Sequence, residues 1–105
     1  MWRDKCNFTL GMIITFRHKG LRQLWEMGNG MRLPSEQVPR TERMLEVIDA
    51  LQEVPGDLEV YKNWHIDKLS GKLKGFWALK VSGNYRLIFR FEGFNAYDLD
   101  YVDYH

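Results

Sequence analysis

Phe76-Trp77-Ala78-Leu79-Lys80-Val81-Ser82-Gly83-Asn84-Tyr85-Arg86-Leu87-Ile88-Phe89-Arg90-Phe91 decides the architecture of this 105-residue chain. Its hydrophobic period is two, so the stretch reads as strands rather than helix. Tyr85, Leu87, Phe89 and Phe91 share one face, and Arg86, Ile88 and Arg90 share the other. A sheet that buries the aromatic face must therefore present both arginines on the opposite side. Ser82-Gly83-Asn84 is a compact hairpin connection, and Gly93-Phe94-Asn95 is a second. Together with residues 95–102 they give a three-stranded meander.

Upstream, the period changes. Met44, Val47, Ile48 and Leu51 recur at i, i+3, i+4, i+7, with Glu42, Arg43, Glu46, Asp49 and Glu53 on the other face, which predicts an amphipathic helix. Its start is expected between Ser35 and Pro39, with Ser35 as cap and Pro39 tolerated in a first turn whose amides lack intrahelical acceptors. Pro55-Gly56-Asp57 stops it. A shorter helix carries Leu21, Leu24 and Trp25 between Gly20 and Gly28. Before it, Met12-Ile13-Ile14-Thr15-Phe16 reads as a strand rich in β-branched residues. The predicted order is β-α-α-β-β-β, an α+β domain over residues 12–105, preceded by an N-terminal extension, residues 1–11.

With 45% hydrophobic residues, the chain is long enough for one modest core and too short for two domains. No stretch approaches the roughly 20 apolar residues of a membrane span, and the start Met1-Trp2-Arg3-Asp4-Lys5-Cys6 lacks the apolar segment of a secretion signal, so a cytoplasmic protein with no membrane partner is expected. Cys6, the one cysteine, can form neither an internal disulfide nor a zinc cluster.

The formal charge of +1 conceals an uneven distribution. Between residues 60 and 91 stand Lys62, Lys68, Lys72, Lys74, Lys80, Arg86 and Arg90 against Asp67. After Phe91 come Glu92, Asp98, Asp100 and Asp103 and no Lys or Arg before the ending Asp103-Tyr104-His105. Cations interleaved with Trp64, Phe76, Trp77 and Tyr85 suit phosphate attraction and base stacking; a solvated strand face is the alternative. His18, His65 and His105 lack metal-ligand spacing, and the carboxylates Asp98, Asp100 and Asp103 read as solvated, so no metal and no cofactor is expected. No nucleophile elbow, Walker loop or dinucleotide fingerprint is present. Phosphodiester chemistry needs none of these, because RNA supplies its own 2′-hydroxyl nucleophile. The protein then has to supply a base, an acid and cations for the crowded phosphate. Tyr104, His105 and Arg86 are suitable in type.

Four segments carry a recognisable pattern: residues 12–21 (Met12-Ile13-Ile14-Thr15-Phe16-Arg17-His18-Lys19-Gly20-Leu21), residues 69–77 (Leu69-Ser70-Gly71-Lys72-Leu73-Lys74-Gly75-Phe76-Trp77), residues 83–91, and the Val102-Asp103-Tyr104-His105 ending. The chain resembles the HigB toxins, or plasmid maintenance killer proteins, of the RelE/ParE superfamily of toxin-antitoxin systems. That resemblance implies two helices packed on a small antiparallel sheet. It also implies a ribosome-dependent, metal-independent mRNA endoribonuclease that inhibits translation and growth. A helix-turn-helix antitoxin of the HigA type, the ribosome and mRNA are the implied partners. By matching position, Arg86 would stabilise the scissile phosphate, and Asp103, Tyr104 and His105 would complete the acid-base and positioning set; His65, which matches no family position, would join them as a base or acid. Lys68, Lys72, Lys74, Tyr85 and Arg90 would contact RNA. The pattern departs from the family in one loop: the family histidine falls at Asp67 and the family lysine at Ser70, so His65 and Lys68 can substitute only if the loop bends suitably. A ParE-like gyrase inhibitor, or a weakened toxin acting mainly as an antitoxin-binding co-repressor, is the alternative.

Overall fold

The computed structural model describes residues 12–103; the expected extension 1–11 and the Tyr104-His105 ending lie outside the described residues. Seven elements follow one another: β1 (Met12–Ile13), α1 (Lys19–Met27), α2 (Val38–Asp49), β2 (Asp67–Lys68), β3 (Phe76–Ser82), β4 (Tyr85–Glu92) and β5 (Asn95–Asp103). The sheet runs β1-β5-β4-β3-β2, with β1 parallel to β5 and the other pairs antiparallel. The α+β class and the meander of the sequence reading are therefore present, with one strand more than expected. The extra strand, β2, is two exposed residues that pair with β3, a length that carries no hydrophobic period. The expected strand over residues 12–16 shortens to Met12–Ile13, with Phe16 bridging separately to Leu99.

Each helix buries one stripe. Leu21 and Leu24 of α1 and Met44, Leu45 and Ile48 of α2 join Leu79, Leu87, Phe89 and Leu99 of the sheet in one core. Phe89 is wholly buried at its centre, so Phe89→Ala costs about 3 to 5 kcal/mol through lost transfer energy and a residual cavity. α2 starts at Val38, inside the expected window, after a 3₁₀ turn over residues 35–37, but Ser35 makes no capping bond, contrary to the sequence expectation. Pro39 does fall in the first turn of α2. At α1, the Nδ1 of His18 accepts the Leu21 N–H at 3.2 Å and caps the helix. Gly20 makes room for that ring: a Cβ there would stand 2.8 Å from His18 Cε1 and 2.9 Å from Arg32 Cβ. No helix among the described residues is long and apolar enough to cross a membrane.

The sheet's other face is only partly open. Phe76, Ala78 and Ile88 form a second small cluster, roofed by Leu69 and Leu73 and flanked on β5 by Val102. The roof is the loop before β3, whose 3₁₀ turn Gly71–Leu73 is entered through Gly71 at φ 68°. That left-handed value favours glycine, because a Cβ would crowd the following carbonyl.

Candidate active site

Alternation along β4 sends Arg86 to the outer face of the sheet, away from the helices, and the β3–β4 hairpin places Lys80 directly opposite it. A bulge between Lys80 and Ser82 follows at once. On the far side of β3, the 3₁₀ turn Lys62–Trp64 ends at His65, whose backbone is left-handed (φ 47°, ψ 61°), and Asp67 of β2 pairs with Ala78. His65, Ile66, Asp67, Ala78, Lys80 and Arg86 line one open hollow of about 500 Å³. The small Ala78 side chain forms part of its lining, so longer cationic side chains reach around it. Hairpin carbonyls orient the guanidinium: Arg86 Nη1 donates to Gly83 O at 2.9 Å and to Tyr85 O at 3.2 Å.

The structure brings together some of the residues expected to act and separates others. His65 and Arg86 share the hollow. Lys72 and Lys74 ride on the exposed turn that Leu69 and Leu73 anchor over the same outer face. Lys68 turns to the other side: it pairs with Trp77, a ring packed against the main core, and its Nζ lies 5.6 Å from that ring's centroid. The backbone in this loop thus delivers the imidazole to the hollow but not the Lys68 ammonium.

Tyr85 also faces the helices. Its ring stacks on Tyr101 at 5.5 Å, and Tyr101 packs against His18 at 5.8 Å while its hydroxyl donates to Gln37 Oε1. Burial pushes the Tyr101 phenol above its ordinary pKa. Arg90 shares the outer face but stands four residues along β4 from Arg86, about 13 Å at the usual strand rise. It is held by Asp98 at 3.0 Å and Glu92 at 2.6 Å and lies 5.3 Å from the Tyr97 ring centroid. The hydrogen bond to Asp98 is the main reason its pKa is raised.

On β5, Val102 pairs with Arg86 and Asp103 with Tyr85, so β5 ends beside the hollow. Tyr104 and His105, expected to act there, lie outside the described residues. Among the described residues no group of three or more His, Cys, Asp or Glu comes together as metal ligands would. Lys80 is the charged lining residue that sequence reading did not assign to the site. Its signal was available in the hairpin register, since a connection through Gly83 and Asn84 brings Lys80 opposite Arg86 once the bulge is allowed for.

An outer-face hollow carrying a guanidinium, an ammonium, an imidazole and a carboxylate can hold a phosphate and move protons around it. Comparison with known proteins points to the same class of molecule. Residues 14–105 match the family model described as RelE-like toxin of type II toxin-antitoxin system HigB. The chain is 38% identical over 96 residues to the Endoribonuclease HigB of Proteus vulgaris, covering 90% of this chain and all of that protein. It is 36% identical over 80 residues to Toxin HigB-1 of Vibrio cholerae serotype O1, covering 75% of this chain and 83% of that one. With a relative of that identity matched over its full length and the family model spanning nearly the whole sequence, the chain belongs to the HigB family of RelE-like toxins of type II toxin-antitoxin systems.

Proposed function

We propose that the protein is the toxin of a type II pair and an endoribonuclease that cuts messenger RNA on the ribosome, with the Arg86 hollow as its active site. A base takes the proton of the RNA 2′-hydroxyl, and the freed oxygen attacks the neighbouring phosphorus. The new 2′-O–P bond closes a cyclic phosphate as the P–O5′ bond breaks, and an acid returns a proton to the leaving 5′-oxygen. Arg86 holds the charge that accumulates on the phosphoryl oxygens. His65 and His105 are the proton-transfer groups, Tyr104 and Asp103 position the phosphate and the imidazole, and Lys72 and Lys74 attract the RNA backbone.

The observation that carries this reading is the convergence of His65 and Arg86 in one hollow at the end of β5. Val102 is the cross-strand partner of Arg86 and Asp103 that of Tyr85, so β5 ends beside the Arg86 hollow.

The relative named an endoribonuclease weighs against the gyrase-inhibitor alternative. Membership of the family implies a cognate antitoxin; we assign it to the small helix-turn-helix class. Induced expression tests the reading. The wild-type protein is expected to arrest growth and leave cleaved transcripts, whereas Arg86→Ala and His105→Ala relieve the arrest with the fold intact. Full toxicity of both variants contradicts the assigned site.

A further inference from the structure

We infer that Lys80 and Arg86 form a two-cation clamp on a backbone phosphate of the bound RNA, which makes Lys80 a substrate-binding residue. This rests on the reading of the hollow as the nuclease site and extends it to the group that supplies its second charge.

Register makes the first point. Lys80 and Arg86 are direct cross-strand partners on the outer face, with Cβ atoms about 5 Å apart, and like charges placed so destabilise a sheet. A strand that needed only solubility there would put an acid or a neutral residue opposite Arg86. Among the described residues no carboxylate lies within ion-pair distance of Lys80. Asp67, the carboxylate lining the hollow, belongs to the strand on the other side of β3, opposite Ala78.

Shape makes the second. The two cations line a concavity of about 500 Å³, where a low-dielectric wall concentrates their field on whatever anion enters. A phosphodiester oxygen pair is an anion of suitable size and charge, since guanidinium offers a planar fork and ammonium a point charge beside it. The bulge between Lys80 and Ser82 re-aims the end of β3 at this position. Of the cations between residues 60 and 91, only Lys80 and Arg86 line the hollow.

The clamp predicts opposite effects on stability and on function, which a merely structural lysine does not. Lys80→Met keeps most of the side chain's length and removes its charge. It is expected to leave the thermal midpoint unchanged or raised, and to lower kcat/KM for cleavage of messenger RNA on programmed ribosomes by about tenfold or more, the scale of one charge-assisted hydrogen bond. Lys80→Arg should recover most of the rate. The dependence of log kcat/KM on log salt should become shallower in Lys80→Met, as expected when one phosphate contact is lost. An NMR titration with a 2′-O-methylated trinucleotide, which cannot be cleaved, reads the clamp without catalysis: resonances of Lys80 and Arg86 should shift together. Joint shifts in a protein that cleaves nothing would retain the clamp and remove the nuclease reading. Wild-type cleavage in Lys80→Met, or a loss of rate matched by a falling thermal midpoint and not rescued by arginine, would overturn the clamp and leave the nuclease reading standing.

Discussion

His18 shows how much a single side chain can decide. Its Nδ1 accepts the Leu21 N–H, a task for the neutral ring, and its environment agrees: burial lowers the pKa below 6.5, Asp100 opposes that shift, and Arg32 adds to it. With a folded-state value below the unfolded one, the unfolded chain binds more protons in the interval between them. The cap's contribution is then present above about pH 6.5 and is lost as pH falls through the folded value. Urea midpoints measured between about pH 5 and pH 7.5 should fall toward acid. The variant His18→Asn, which still caps but does not titrate, should flatten that slope. An equal slope in both proteins would place the titration elsewhere.

At the scale of elements, the network around β5 explains why one arginine of β4 is held apart from the hollow. A register shift between Ile88 and Arg90 leaves an extra residue on β5, and Asp98 there takes φ 56°. Asp98 is secured from two sides: its N–H donates to Thr15 Oγ1 at 2.8 Å, and its carboxylate accepts Arg90 Nε at 3.0 Å. Arg90 is thereby committed to joining β4 to β5 and, through Asp98, to the segment that follows β1. Arg90→Ala should lower the thermal midpoint by a few degrees and change ribosomal cleavage little. A large fall in cleavage at an unaltered midpoint would return Arg90 to the RNA-contact set.

The same elements show which features could be read from sequence. The apolar spacing of Leu21, Leu24, Met44 and Ile48 and the glycines of both hairpins are local signals, and the helices and meander follow from them. β2 is exposed and two residues long, so only its pairing with β3 defines it. The two bulges are set by pairing across strands. Hence Lys68, next in sequence to Asp67, lands on the opposite face from Arg86, and Lys80, six residues from Arg86 in the chain, lands beside it.

Across the whole molecule, an acidic run and the basic stretch that follows it fall on different structural elements. Residues 44–61 contain Glu46, Asp49, Glu53, Asp57 and Glu59 and no Lys or Arg, and they form the second half of α2 and the turns after it. The following basic stretch forms the sheet edge, the roofing loop and the hollow. Such a separation orients an approaching polyanion before contact and makes its capture sensitive to salt. In the proposed function the Arg86 guanidinium stabilises the phosphoryl charge during cleavage. Single-turnover cleavage of messenger RNA on programmed ribosomes tests it most directly. Arg86→Ala, with an unchanged circular dichroism spectrum, is predicted to cut at least about 10²-fold more slowly, the usual cost of removing one preorganised charge donor. Cleavage by that variant at the wild-type rate would contradict the account.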